Sequence, residues 1–243
     1  MVKIFHFGDI TKINGHKVPL VDIITGGSPC QDISIAGNCK GLAGERSGLF
    51  FEQIRIVKEM REESERQLRD SGANYSGRDI KCRFLIWENV FNAFSTGNPK
   101  GADFQAVLQE ICKIVCKDCP PIPIPKEGWH YAGSIDGVGD DGTPFSISWR
   151  THDAQYWGKT IRDSDTGDVI ALGTPQRRRR ISVVADFGGL SAPSLQFECE
   201  SECRNIEESK GERERVAGTA QDDIGETGKG ALSFQERAGK NGG

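Results

Sequence analysis

Three short stretches carry side chains whose types and spacing could do covalent chemistry. The first is Gly26-Gly27-Ser28-Pro29-Cys30-Gln31, which follows the apolar run Val21–Thr25. A strand that runs straight into two glycines, a proline and a cysteine places Cys30 on a loop at the strand's carboxyl end, where open α/β sheets build their sites. Glycines there permit close backbone approach, and a thiolate on such a loop is a nucleophile. The second stretch, Leu85-Ile86-Trp87-Glu88-Asn89-Val90, sets an acid and an amide at the end of an apolar strand. A carboxylate beside so apolar a run suits a proton donor. The third is Gly173-Thr174-Pro175-Gln176-Arg177-Arg178-Arg179-Arg180, which leads into another apolar strand. Alternate arginines, Arg178 and Arg180, would point the same way from a strand. Taken singly, each stretch has an ordinary explanation: a turn with a stray thiol, a capping glutamate, a solvated charge run.

The elements that must position these residues are legible as short apolar runs. Strands are expected near Lys3–Phe7, Leu20–Thr25, Phe84–Trp87, His130–Ile135, Phe145–Arg150 and Ile181–Ala185. Between the second and third, Phe50, Ile54, Val57, Met60, Ser64 and Leu68 recur at three- or four-residue spacing, which predicts a helix over Gly48–Leu68 with Ser47 at its N-cap. A second helix is expected over Asp103–Val115. Strand, helix, strand, helix, strand is the pattern of a parallel α/β sheet. The run Pro120-Pro121-Ile122-Pro123-Ile124-Pro125 then forces an extended connector. The glycines of Gly137-Val138-Gly139-Asp140-Asp141-Gly142 match a dinucleotide-binding pattern. That reading needs a helix after them, and Thr143-Pro144 with a strand-like run follows instead, so they read as a hairpin tip.

Composition narrows the class. The chain has 243 residues, enough for one large domain. No run of about 18 apolar residues offers a membrane span, and no charged-then-apolar leader is visible, which makes the cytoplasm the expected compartment. Residues 198–243 hold 11 acidic and 7 basic side chains, leaving 24 of each in the body. A balanced body argues against binding by bulk charge but leaves room for a basic cleft. Of eight cysteines, Cys112, Cys116 and Cys119 form a close run that lacks a fourth ligand at fixed spacing. They read as core thiols, and no metal is expected.

Together the three stretches resemble the DNA cytosine-5 methyltransferases. Pro29-Cys30-Gln31 resembles that family's catalytic loop, Glu88-Asn89-Val90 its Glu-Asn-Val strand end, and Gln176–Arg180 its Gln-Arg-Arg-x-Arg strand. Arg46-Ser47-Gly48-Leu49-Phe50-Phe51-Glu52 looks like the family's helix-opening segment, and Gly8-Asp9-Ile10 like its adenine-side segment. The resemblance runs over about 4–188, and Asp153-Ala154-Gln155-Tyr156-Trp157-Gly158 brings the phage and restriction-modification members nearest.

The resemblance implies an α/β fold: a partial class I S-adenosylmethionine-dependent methyltransferase (Rossmann-like) sheet with an incomplete, irregular C-terminal region. Residues 1–188 would form a partial catalytic domain. Residues 189–243 would be the start of a target-recognition region or a disordered tail. The implied cofactor is S-adenosyl-L-methionine, contacted by Asp9, Ile10 and Leu49. The implied partner is double-stranded DNA, with Gln31, Ser34 and Asn89 binding the substrate. Cys30 would add to cytosine C6, Glu88 would hydrogen-bond or protonate N3, Arg180 would hold O2, and Arg178 would help orient Glu88. The family's opening glycine loop and its closing segments have no counterpart here, so the sequence reads as truncated at both ends, and Lys159–Gly173 as an extra surface excursion. Two expectations follow: a methyltransferase, aided if necessary by a complementing chain that carries the glycine loop, or an inactive remnant with residual DNA binding.

Overall fold

The computed structural model describes residues 4–28, 48–153, 160–162, 166, 169–171, 178–197 and 232–236. Its centre is a six-stranded sheet. The strands are β1 (Ile23–Gly26), β2 (Phe84–Val90), β3 (Ala132–Val138), β4 (Pro144–Asp153), β7 (Arg179–Asp186) and β8 (Leu232–Glu236), in spatial order β1-β2-β7-β4-β3-β8. Two short strands, β5 (Thr160–Arg162) and β6 (Val169–Ala171), pair antiparallel as a separate hairpin. This hairpin is the expected excursion, which leaves the main sheet uninterrupted.

Helix α1 (Leu49–Asp70) links β1 to β2. Phe50, Ile54, Val57, Met60 and Ser64 are buried along one face, as the spacing predicts. The other face is laced by ion pairs three or four residues apart, such as Arg55 with Glu52 and Glu59, and Arg66 with Glu63 and Asp70. The residue at its N-cap is Gly48, which makes no side-chain cap bond; Ser47 lies outside the described residues. Helix α2 (Ala102–Cys112) stops three residues short of expectation, because the chain tightens into turns in which the Ile114 N–H donates to the Ile111 carbonyl and the Val115 N–H to that of Cys112. The proline run that follows is extended without regular structure. Helix α3 (Ala192–Phe197) packs on β4 and β7.

Among the described strands of the sheet only β1 and β2 are parallel, and every other pair is antiparallel. This corrects the expectation of a parallel sheet. A helical crossover reverses the chain between β1 and β2 alone, whereas β3 and β4 form a direct hairpin. The Gly-rich segment is the tip of that hairpin, closed by Gly139 N–H donating to the Thr143 carbonyl at 2.9 Å, with Gly142 at φ +82°. A second correction concerns the N-terminal run. Residues 4–7 are irregular, and Ile4, Phe5 and Phe7 are exposed; the run has the composition of a strand but pairs with no described strand. Cys112, Cys116 and Cys119 are buried in the core. No described helix is long and apolar enough to cross a membrane.

Candidate active site

The sheet's register brings two of the three chemical stretches together. Val90 lies opposite Arg180 and Glu88 opposite Ser182 across β2 and β7, so Glu88 and Arg180 are diagonal neighbours on one face. The Arg180 Nε donates to Glu88 Oε1 at 2.8 Å. The Glu88 side chain is 50% exposed: alternation along β2 turns Leu85, Trp87 and Asn89 inward and sets Glu88 outward. The apolar run therefore positions the carboxylate without enclosing it. Arg180, not Arg178, reaches Glu88. Arg178 precedes β7, is exposed, and its backbone N–H donates to Asp153 Oδ1 at 3.2 Å.

The end of β1 is built against this pair. A Cβ on Gly27 would lie 3.2 Å from Glu88 Oε2, and a Cβ on Gly26 only 2.6 Å from Gln53 Oε1. A side chain at Gly26 would displace the Gln53 amide and one at Gly27 would crowd Glu88, so the two glycines ease the close approach of loop, helix and strand. Asn89 is buried. Its Nδ2 donates to the Ser28 carbonyl at 2.8 Å, and the indole of Trp87 donates to Ser28 Oγ at 3.1 Å. Asn89 Oδ1 accepts from the Val90 N–H at 2.7 Å. The amide is thus engaged within the protein and anchors the loop at Ser28. The chain continues from there as Pro29-Cys30-Gln31; Cys30, Gln31 and Ser34 lie outside the described residues.

On the other side of β1 lies an open cleft of about 190 Å³, lined by Ile10, Ile24, Leu49, Gln53 and Ile56 together with Thr25–Ser28. Two of the three expected cofactor contacts, Ile10 and Leu49, line it. Asp9 does not. Its carboxylate caps the short turn Ile10–Lys12, accepting from the Thr11 hydroxyl at 2.8 Å and the Thr11 N–H at 3.0 Å, bonds that hold its pKa below the ordinary value. Gln53 was not singled out from the sequence. The available signal was its polarity on the otherwise apolar face of α1, three residues after Phe50.

Comparison with known proteins speaks to the first part of the chain. Residues 2–112 match the family model for C-5 cytosine-specific DNA methylase. Residues 2–112 belong to that family. This methylase segment contains both Cys30 and the Glu88 strand. An orphan methyltransferase, M.SPRI, of Bacillus phage SPR is 46% identical over 54 residues, covering 22% of this chain and 12% of that protein. The type II methyltransferase M.HhaI of Haemophilus parahaemolyticus is 48% identical over 52 residues, covering 21% and 16%. A longer match, 25% identical over 215 residues, reaches 83% of this chain and 25% of a protein of Escherichia phage P1 named DNA N-6-adenine-methyltransferase. The chain thus aligns with a quarter or less of the length of each of these relatives.

Proposed function

We propose that the chain supplies the catalytic half of a DNA cytosine-5 methyltransferase. The observation that carries this reading is the 2.8 Å Glu88–Arg180 pair at the sheet end where Asn89 fastens Ser28. Cys30 follows Ser28 by two residues, a reach of at most about 7 Å of chain. Cytosine C5 is a weak nucleophile. Addition of the Cys30 thiolate to C6 moves electron density to C5 and negative charge toward N3. Glu88 hydrogen-bonds or protonates N3. Arg180 holds Glu88 in place and offers its remaining donors to the base O2. After methyl transfer, loss of the C5 proton to a base restores the double bond and expels the Cys30 thiolate. The target carbon lies inside the duplex, so the cytosine is turned out of the stack to reach these residues. Gln31 and Ser34 follow the nucleophile in sequence and would contact the DNA.

The cleft beside β1 fits part of S-adenosylmethionine. Its apolar lining of Ile10, Ile24, Leu49 and Ile56 suits a flat adenine. Its volume is below the roughly 300 Å³ at which pockets for whole drug-sized ligands begin. Bound there, the cofactor supplies the electrophilic methyl group. The same strand, β1, forms one edge of the sheet, with Ile23 exposed. Further strands, on this polypeptide or on a complementing chain, would cover that edge and complete the cofactor site.

The P1 relative's name raises transfer to adenine N6 as a second reading. An exocyclic amine attacks through its own lone pair and needs no thiol adduct, so a cysteine two residues beyond Ser28, which Asn89 anchors in a site that also holds the Glu88–Arg180 pair, favours C5. Methyl transfer from labelled S-adenosylmethionine to duplex DNA, followed by nucleoside analysis, tests this. We expect 5-methylcytosine, abolished by Cys30→Ser. Label in N6-methyladenine, or full activity in Cys30→Ser, would reject the reading.

A further inference from the structure

Arg179 and Arg180 are consecutive in β7, so their side chains leave opposite faces of the sheet. Arg180 serves Glu88. Arg179 lies over the ring of Phe91, 5.5 Å from its centroid. Phe91 in turn meets Tyr131 at 5.6 Å with the rings inclined by 55°. These three residues come from the start of β7, the turn after β2 and the residue before β3, and the register of the sheet gathers them at the end that also holds the Glu88–Arg180 pair. Both outer members stay accessible: Tyr131 is 49% exposed and the Arg179 side chain 56%.

The assembly is held from behind. Phe91 packs edge-on to Phe94, Phe94 to Phe104, and Phe104 to Trp129 and Trp149 in the core. Asp153 reaches Arg179 Nε at 3.8 Å and accepts from the Arg178 N–H on its other oxygen. A surface already fixed by its own core loses little freedom when it binds.

We propose that Arg179, Phe91 and Tyr131 form a platform for the DNA strand next to the target base, an inference that rests on the cytosine methyltransferase reading. Charge complementarity selects the occupant. Arg178 and Arg179 are both exposed, and a guanidinium beside half-exposed aromatic faces matches a phosphate flanked by a sugar or an unstacked base. Placement agrees. Arg179 and Arg180 leave the same end of the sheet, the end that holds Glu88, so a base delivered to Glu88 carries its strand past that end, where Arg179 stands. A phosphate contact and a stacking face serve every base alike, so the platform's contribution is independent of sequence.

The test is duplex binding by the full chain, followed by fluorescence anisotropy with mixed-sequence labelled DNA between about 50 and 200 mM salt. Arg179→Ala should lower the salt slope by about 0.9, the loss of one phosphate contact. Tyr131→Ala should weaken binding about tenfold, with Tyr131→Phe restoring it. Both losses should be equal on duplexes of different sequence, with thermal unfolding unchanged. Wild-type-like binding in both variants, a loss confined to one sequence, or no binding by the wild type would each overturn the platform. The two readings separate in the methyl-transfer assay. A wild type that methylates cytosine while Arg179→Ala and Tyr131→Ala bind normally removes the platform alone. A wild type that binds with the stated slope change yet transfers no methyl removes the catalytic reading and keeps the platform as a DNA contact.

Discussion

The two faces of the sheet are built on opposite principles. One face presents Leu85 and Trp87 of β2, Ile181 and Val183 of β7, and Ile147 and Trp149 of β4, all buried beneath α1 and α2. The other presents Ser146 and Ser148 of β4, Ser182 and Asp186 of β7, and Glu88 of β2, partly covered by α3. On the first face, burial of apolar area does the stabilising. On the second, polar groups satisfy one another. Ser182 Oγ donates to Gln196 Oε1 at 3.1 Å, Gln196 Nε2 donates to the Ser182 carbonyl at 3.1 Å, and His152 Nε2 lies 2.7 Å from Ser182 Oγ. The comparison teaches that the apolar face holds the strands in register, and the polar face, freed from that task, carries the Glu88–Arg180 pair.

The largest effect should follow from cutting into the apolar face. Trp149 is fully buried, and Gly133 opposite it has no room for a Cβ, which would lie 2.2 Å from the Trp149 ring. Trp149→Ala should cost about 3–5 kcal/mol in urea unfolding. A loss below 1 kcal/mol would mean that this face does not carry the fold.

Asp186, on the polar face, should show a smaller and pH-dependent effect. Burial alone pushes its carboxyl up, but two bonds from Arg83 (2.7 and 2.9 Å), with donors from Ser191 and Gly188, outweigh that and hold it at about 2. A carboxyl depressed in the folded state stabilises above its unfolded pKa, and that contribution fades as pH falls through the folded value. The wild type should gain roughly 2 kcal/mol from this group above pH 4, lost between about pH 4 and 2. Asp186→Asn should be less stable at neutral pH and should lack that part of the acid transition. Parallel acid curves for the two proteins would contradict the assignment.

The smallest structural effect should come from the pair to which we assign the largest chemical role. Glu88 is half exposed, and an ion pair so open to water contributes below about 1 kcal/mol. Glu88→Gln should therefore unfold like the wild type while methyl transfer falls by about 10²–10⁴. Marked destabilisation with little change in rate would make Glu88 a structural residue.

The faces also explain what the sequence revealed. The alternation Phe145-Ser146-Ile147-Ser148-Trp149-Arg150 marks a strand, and the apolar spacing of α1 marks its helix, because both periods follow from local geometry. Strand direction does not follow from period, so the parallel pairing held for β1 and β2 only. Residues 4–7 satisfy the composition of a strand but pair with no described strand. At the site, residue type and motif order pointed to Glu88 and Arg180. The roles of Asn89 and Gln53 were not legible, since what a buried amide bonds is decided by tertiary contacts: Ser28 for the one, the Ile86 carbonyl for the other.

The central claim is a thiol adduct formed beside Glu88 and Arg180. Its most direct test is to incubate the protein and S-adenosylmethionine with duplex DNA carrying 5-fluorocytosine, then map any cross-link by mass spectrometry. Fluorine cannot leave C5 as a proton does, so the adduct should persist with its bond at Cys30. It should vanish in Cys30→Ser and form far more slowly in Glu88→Gln. A cross-link at another cysteine, or methyl transfer from this protein with no trapped adduct, would contradict the account.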